Sequence, residues 1–214
     1  MLDAMVTRAE SAAATRRALL DAAAELLDLG GPEAVTVREV GARAGVTRGA
    51  PYRHFADKDS LLTAIAAETW DRIANQVHAL RTNPALPTAD TLRSALRLLI
   101  GVGRDQPHLY QLLFKRPVRA QGLNQVHRQL CGPPADPAAA VHAAERFQDE
   151  FLAVVAALAG ERNARQYGAL LLTSAHGIAG MELSGHLDTD KWHTTPDELV
   201  DTLVRMITPA GQPT

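Results

Sequence analysis

Between Thr36 and Lys58 the chain carries Arg38, Arg43, Arg48, Arg53 and Lys58 against only Glu39 and Asp57, a local excess of three positive charges. Residues 1–35 hold Arg8, Arg16 and Arg17 against six acidic side chains, so the sequence confines positive charge to the 36–58 segment. The net charge of −2 for all 214 residues conceals this cluster. Local distribution, not the sum, decides whether a polyanion is a suitable partner. Arginine in such a segment has a specific use: its fork takes O6 and N7 of guanine together, worth about 1–3 kcal/mol per well-made pair.

Other chemistries find less support. Eight histidines are present, and His176 with Glu182 is the nearest imidazole–carboxylate pair, but six positions on a helix do not share a face. No two histidines stand four apart as a zinc site on a helix would require, and phosphate-loop, dinucleotide and nucleophile-elbow patterns are missing. The sequence therefore points away from an enzyme and calls for no cofactor and no metal. Cys131 stands alone, so no intramolecular disulfide is available, and a reducing cytoplasm is the expected location. The first residues, MLDAMVTRAESAAAT, lack the apolar stretch of a signal peptide, and the longest apolar run, 151–160, is too short for a membrane span.

The elements around the basic segment read as helices. Hydrophobic residues make up 46% of the chain and aromatics only 4%, so alanine, leucine and valine carry the core, a mixture favouring helix. Residues 1–14 read as a flexible arm. From Thr15 to Leu29 the apolar positions Leu19, Ala23, Leu26 and Leu27 have amphipathic-helix spacing, closed by Gly30-Gly31-Pro32. Thr36 and Glu39 form a capping-box pattern that opens a short helix with Val37, Val40 and Ala44 inward. Gly45 supplies the turn. Thr47 is expected to cap a second short helix starting at Arg48 and ending near Phe55, with Pro51 tolerated in its first turn. A long helix follows from Asp57 to Leu80, then the break at 82–90, then helices at 90–104, 107–115, 137–159, 162–187 and 196–208, with a partial loop between Pro117 and Pro137. Two short helices joined by a glycine turn and held by an amphipathic helix make a helix-turn-helix, whose second helix enters the DNA major groove.

The run TVREVGARAGVTRGAPYRHFADKDSLL, with its Ala44-Gly45-Val46 turn, Tyr52-x-His54-Phe55 end and Lys58, resembles the N-terminal domain of the TetR family of bacterial transcriptional regulators. The resemblance implies an all-α fold: a three-helix DNA-binding domain over 15–60, then a larger helical ligand-binding and dimerisation domain over 61–208 with a tail at 209–214. It implies phosphate contacts from Thr36, Tyr52, His54 and Lys58, and base contacts from Arg48, Arg53, Thr47 and Ala50. Many members have an apolar residue such as leucine where Pro51 stands. Arg38 and Arg43 read as solvent-exposed or phosphate-grazing. Segments 107–117 and 171–187 resemble a C-terminal subtype named for a Trp-His-Gly motif, although Ser174-Ala175 precedes His176-Gly177 here.

From the same resemblance follows a homodimer built on the last two long helices, with Gly177, Gly180, Ser184, Leu199 and Leu203 as candidate interface residues. The small residues Ala175, Gly177, Ala179, Gly180, Ser184 and Gly185 favour close helix approach, either to a second copy or within the chain's own core. An effector pocket is also implied, with Trp70, Tyr110, Phe114, Phe147, Phe151, His176 and Met181 as candidate lining; core packing is the alternative for each. The expected function is a regulator, most simply a repressor released from a palindromic double-stranded operator by a small apolar ligand. A ligand- or metal-responsive activator and a non-DNA-binding interaction protein remain the alternatives.

Overall fold

The computed structural model describes residues 2–114 and 136–208, all of whose regular elements are helical. Cys131, nearly all of the loop expected between Pro117 and Pro137, and the tail at 209–214 lie outside the described residues. The helices are α1 (Leu2–Ala34), α2 (Val37–Arg43), α3 (Pro51–His54), α4 (Lys58–Arg81), α5 (Thr88–Asp105), α6 (Pro107–Phe114), α7 (Pro137–Ala159), α8 (Glu161–Leu183), α9 (Thr189–Trp192) and α10 (Pro196–Ile207). They divide into two compact units, one drawn from Met1–Glu68 and Gln111–Val141, the other from Thr69–Tyr110 and His142–Thr214.

In the first unit α1 starts at Leu2, so the residues read as an arm are helical. Residues 9–14 are exposed among the described residues. Alanine-rich sequence without glycine or proline sustains a helix by propensity alone, a signal that apolar periodicity does not register. The regular helix breaks at Gly30 and Gly31, the latter at φ 67°, before a last turn opened by Pro32. Leu19, Leu20, Ala23, Leu26 and Leu27 lie on the buried face of α1, and Val35, Val37, Val40, Phe55, Leu61 and Ile65 are further members of that unit's core.

In the second unit α5 packs on α8 and α10. Leu92, Ala95, Leu96 and Leu99 are buried on α5, Leu171, Ala175 and Ala179 on α8, and Val200 and Val204 on α10. Gly103 permits this approach: a methyl group there would meet Ala179 Cβ at 3.1 Å. Arg97 on α5 reaches Asp197 at 2.8 Å and Asp201 at 3.3 Å on α10. Helix α10 opens with a complete capping box, Thr195 with Glu198. Helix α8 stops at Leu183, short of the expected 187, because Gly185 turns left-handed at φ 70° and the His186 amide bonds back to the Met181 carbonyl. Gly185 is therefore a helix terminator, not part of a small-residue face, and the short α9 follows.

Trp70 packs on Phe147 at 5.1 Å between ring centroids and Phe147 on Phe151 at 5.9 Å. Polar contacts flank the stack: Arg146 holds Asp71 at 2.6 Å, and Glu150 accepts from Arg81 at 2.8 Å and pairs with His78 at 2.9 Å. Phe151 is the largest fully buried side chain in the protein's described residues. Phe151→Ala is expected to lower stability by about 3–5 kcal/mol, the usual range for an unrelaxed cavity of that size, as measured by urea unfolding.

Candidate nucleic-acid interface

Thr36 caps α2 by accepting the Glu39 amide at 3.1 Å, the threonine limb of the expected capping box. The chain leaves α2 through Gly45 at φ 67°, and the Val46 amide bonds the Gly41 carbonyl at 3.1 Å. The second helix then departs from expectation. Thr47 is not its cap: the Ala50 amide bonds the Thr47 carbonyl at 2.9 Å, closing a turn over 47–50, and α3 begins at Pro51. Proline at the first helical position loses nothing, because that N–H has no intrahelical partner in any helix and φ is already set. Arg48 and Gly49 thus lie on a turn ahead of the helix.

Pro51 is buried, and its place is fixed by α2. A methyl group at Gly41 would stand 2.6 Å from Pro51 Cγ, so the ring rests on bare backbone. Reciprocal bonds between Asp57 and Ser60 (Ser60 amide to Asp57 Oδ1 2.7 Å, Asp57 amide to Ser60 Oγ 3.1 Å) then start α4 and place Lys58.

The cations of this segment separate into two classes. Arg43 donates to Glu25 of α1 at 2.6 Å, and Lys58 lies 3.7 Å from Glu33. Arg38, Arg48 and Arg53 are exposed and have no carboxylate partner among the described residues. Arg38, Gly41, Ala42, Arg48, Pro51 and Tyr52 line a concavity of about 560 Å³. Sequence reasoning set Arg38 and Arg43 together; the structure separates them, bringing Arg38 to Arg48 and turning Arg43 to α1. Thr36, Thr47, Tyr52 and Arg53 are exposed, Ala50, His54 and Lys58 half-buried. Phe55 is core at 2% exposure, and the Arg16 guanidinium lies 4.8 Å above its ring. Burial, then the charges of Arg16 and Arg53, hold the His54 pKa below its ordinary value.

The residues read as pocket lining do not share one environment. Trp70, Phe147 and Phe151 fill one another's space as described above. Tyr110 is buried and bonds His176 Nδ1 at 2.9 Å, with the two rings stacked at 5.5 Å. Burial pushes the Tyr110 hydroxyl up to about 12. Phe114 and Met181 are exposed. Glu182 pairs with Arg104 at 2.8 Å, so the His176–Glu182 pair suggested by the sequence is divided between two other partners. Of the small residues on α8, Ala175 and Ala179 belong to the chain's own core. Gly177, Gly180 and Ser184 are exposed, and methyl groups at the two glycines would meet nothing within 4 Å. Leu199 and Leu203 on α10 are half-buried, and Met206 on the same helix is exposed.

Residues 19–65 match the family described as bacterial regulatory proteins, tetR family, and residues 92–207 match the tetracyclin repressor-like C-terminal domain. The chain belongs to the TetR family. The C-terminal description does not name the Trp-His-Gly subtype that segments 107–117 and 171–187 resemble. Among curated relatives, the HTH-type transcriptional repressor Rv1474c of Mycobacterium tuberculosis is 42% identical over 62 residues, 29% of this chain and 33% of the relative. The chain thus spans about a third of the length of that relative. Solved structures extend the likeness in fold. A Rhodococcus sp. RHA1 protein of unknown function superposes with a TM-score of 0.70 at 22% identity, covering 91% of this chain and 96% of its own. The multidrug binding protein EbrR, complexed with ethidium, superposes with a TM-score of 0.56 at 23% identity, covering 92% and 99%. Among the described residues no helix is long and apolar enough to cross a membrane.

Two outcomes follow from this TetR-type motif. Gly41→Ala should cost about 1–3 kcal/mol through overpacking against a rigid ring. In a Pro51→Ala background the same change should become neutral or stabilising, since alanine outranks glycine in a helix by about 1 kcal/mol; urea unfolding of the four proteins of the cycle reads this sign reversal. His54 binds its proton more weakly folded than unfolded, so its contribution to stability is complete above about pH 6.5 and is lost as pH falls through the depressed folded value. Unfolding midpoints at pH 7.5 and 5.5 should therefore differ less in His54→Gln than in the parent protein.

Proposed function

We propose that the protein is a sequence-specific transcriptional repressor that binds a palindromic operator as a homodimer and is released by a small apolar ligand. DNA would be held by residues 15–60, and the ligand and second copy by residues 61–208, in the cytoplasm. The observation that carries this reading is the set of exposed arginines without carboxylate partners among the described residues, Arg38, Arg48 and Arg53, in the 36–58 segment whose lysine and remaining arginine, Lys58 and Arg43, are paired with acids. Cations left without internal partners are available to a polyanion.

Arg48 and Arg53 read guanine, Thr47 and Ala50 make the smaller base contacts, and Ala50 offers a methyl to thymine. Thr36, Tyr52, His54 and Lys58 hold phosphates and set the register. The open face of α8 with Gly177, Gly180 and Ser184, continued by Leu199 and Leu203 on α10, takes the second copy, which places two recognition helices on half-sites roughly 34–36 Å apart. The ligand enters among Trp70, Tyr110, Phe114, Phe147, Phe151, His176 and Met181. Because several of these rings are packed on each other, binding parts them, and the ligand favours a separation of recognition helices that no longer fits the operator. EbrR, which shares the fold, is complexed with ethidium, an aromatic molecule, which is in keeping with an aromatic ligand here.

Selection from a random duplex library by the purified protein, at roughly physiological salt where non-specific binding is weak, tests the reading. The expected result is an enriched palindrome containing guanines. Arg48→Ala should then lose about 1–3 kcal/mol on that site and relax one base position. Lys58→Ala should weaken binding to all sequences alike and reduce the salt slope by about one unit. No enrichment, from protein freed of bound ligand by refolding, would sink the proposal.

A further inference from the structure

Arg16 and Arg17 are neighbours on α1 with opposite surroundings. Arg17 is held by Asp21 and by Glu68 at 2.8 Å, so its charge is balanced within the unit. Arg16 has no carboxylate partner among the described residues. It lies half-buried over the Phe55 ring, at the residue that ends α3. Stacking on an aromatic face uses the plane of a guanidinium and leaves its N–H edge free for an acceptor. His54 and Arg53 are the last two residues of α3. Arg16 and Arg53 both stand close enough to His54 for their charges to resist its protonation, and no acid offsets them there. Three cationic or potentially cationic side chains from two helices thus converge without a carboxylate partner among the described residues.

We propose that Arg16, together with His54, forms a seat for a phosphate of the DNA backbone at the C-terminal end of the recognition helix. Arg16 supplies a fork that matches two phosphate oxygens, and His54 supplies an N–H donor. Phe55 fixes the guanidinium beforehand, so less side-chain freedom is lost when the backbone arrives. Arg53 adds to the local potential while remaining directed to base edges. The seat ties α1, which otherwise only supports the motif, to the register of the protein on DNA. The inference rests on the DNA-binding reading above, and the following experiment separates the two.

Salt dependence of binding is measured for full-length parent, Arg16→Gln and Arg17→Gln proteins, on the selected duplex and on a random duplex. One phosphate contact contributes about 0.9 to the slope of log K against log salt. Arg16→Gln is expected to lower the slope by about one unit on both duplexes, while Arg17→Gln leaves it unchanged. If Arg16→Gln does not fold, as judged by circular dichroism, Arg16→Met keeps the stem over Phe55 and replaces it. A parent-like slope in the Arg16 variant, or an equal loss in Arg17→Gln, overturns the seat while leaving the DNA reading intact. Absence of salt-dependent binding by the parent protein overturns both.

Discussion

Pro51 lies against α2 where Gly41 offers no side chain, and a single methyl group there would come within 2.6 Å of the ring. This contact determines where the recognition helix can start and how near α2 it runs. The turn from Gly45 to Ala50 must deliver Pro51 to that spot, which sets Arg48 on the turn and, with Tyr52, on the wall of the same concavity. Phe55, four residues on, closes the same short helix into the core of the first unit. A rod of four residues has no stability of its own. Both its ends are therefore fixed by packing, Pro51 at one and Phe55 at the other, and the polar residues between them are free to face outward.

Charge is organised around that rod by subtraction. Acids on α1 take Arg43 and Lys58, and Asp21 and Glu68 take Arg17. Exposed ion pairs of this kind add little to stability, typically 0–1 kcal/mol. Their effect on the surface is larger, because along α1 to α3 and the start of α4 they offset charge at Arg17, Arg43 and Lys58 and leave Arg16, Arg38, Arg48 and Arg53 without a carboxylate partner among the described residues. A chain of net charge −2 can in this way present a localised field to a polyanion.

Much of this was legible in the sequence where local chemistry decides the outcome. Thr36 as a cap, Gly45 as a turn and the apolar face of α1 each follow from short-range rules, and the helix bounds from 88 onward lie within a few residues of those expected. Failures came where distant residues decide. Thr47-Arg48-Gly49-Ala50 reads as a cap and first helical turn until Gly41 is known to hold Pro51. Arg16 reads as one more charge on an amphipathic helix until Phe55 folds beneath it. Arg38 and Arg43 look alike, yet Glu25 is near only one of them. Sequence spacing also does not tell a ring that lines a space from one that fills it; Trp70, Phe147 and Phe151 are packed on one another.

Helix α8 carries its small residues in two sets on different sides. Ala175 and Ala179 allow α5 to close on it, whereas Gly177, Gly180 and Ser184 face outward. The internal fold of that unit therefore does not draw on Gly177, Gly180 and Ser184. For the homodimer proposed above, such a division would make pairing a separate equilibrium, governed by how much protein the cell holds. Occupancy of the operator would then rise with about the second power of protein level when the chain is scarce, giving a sharper threshold than a single chain could set.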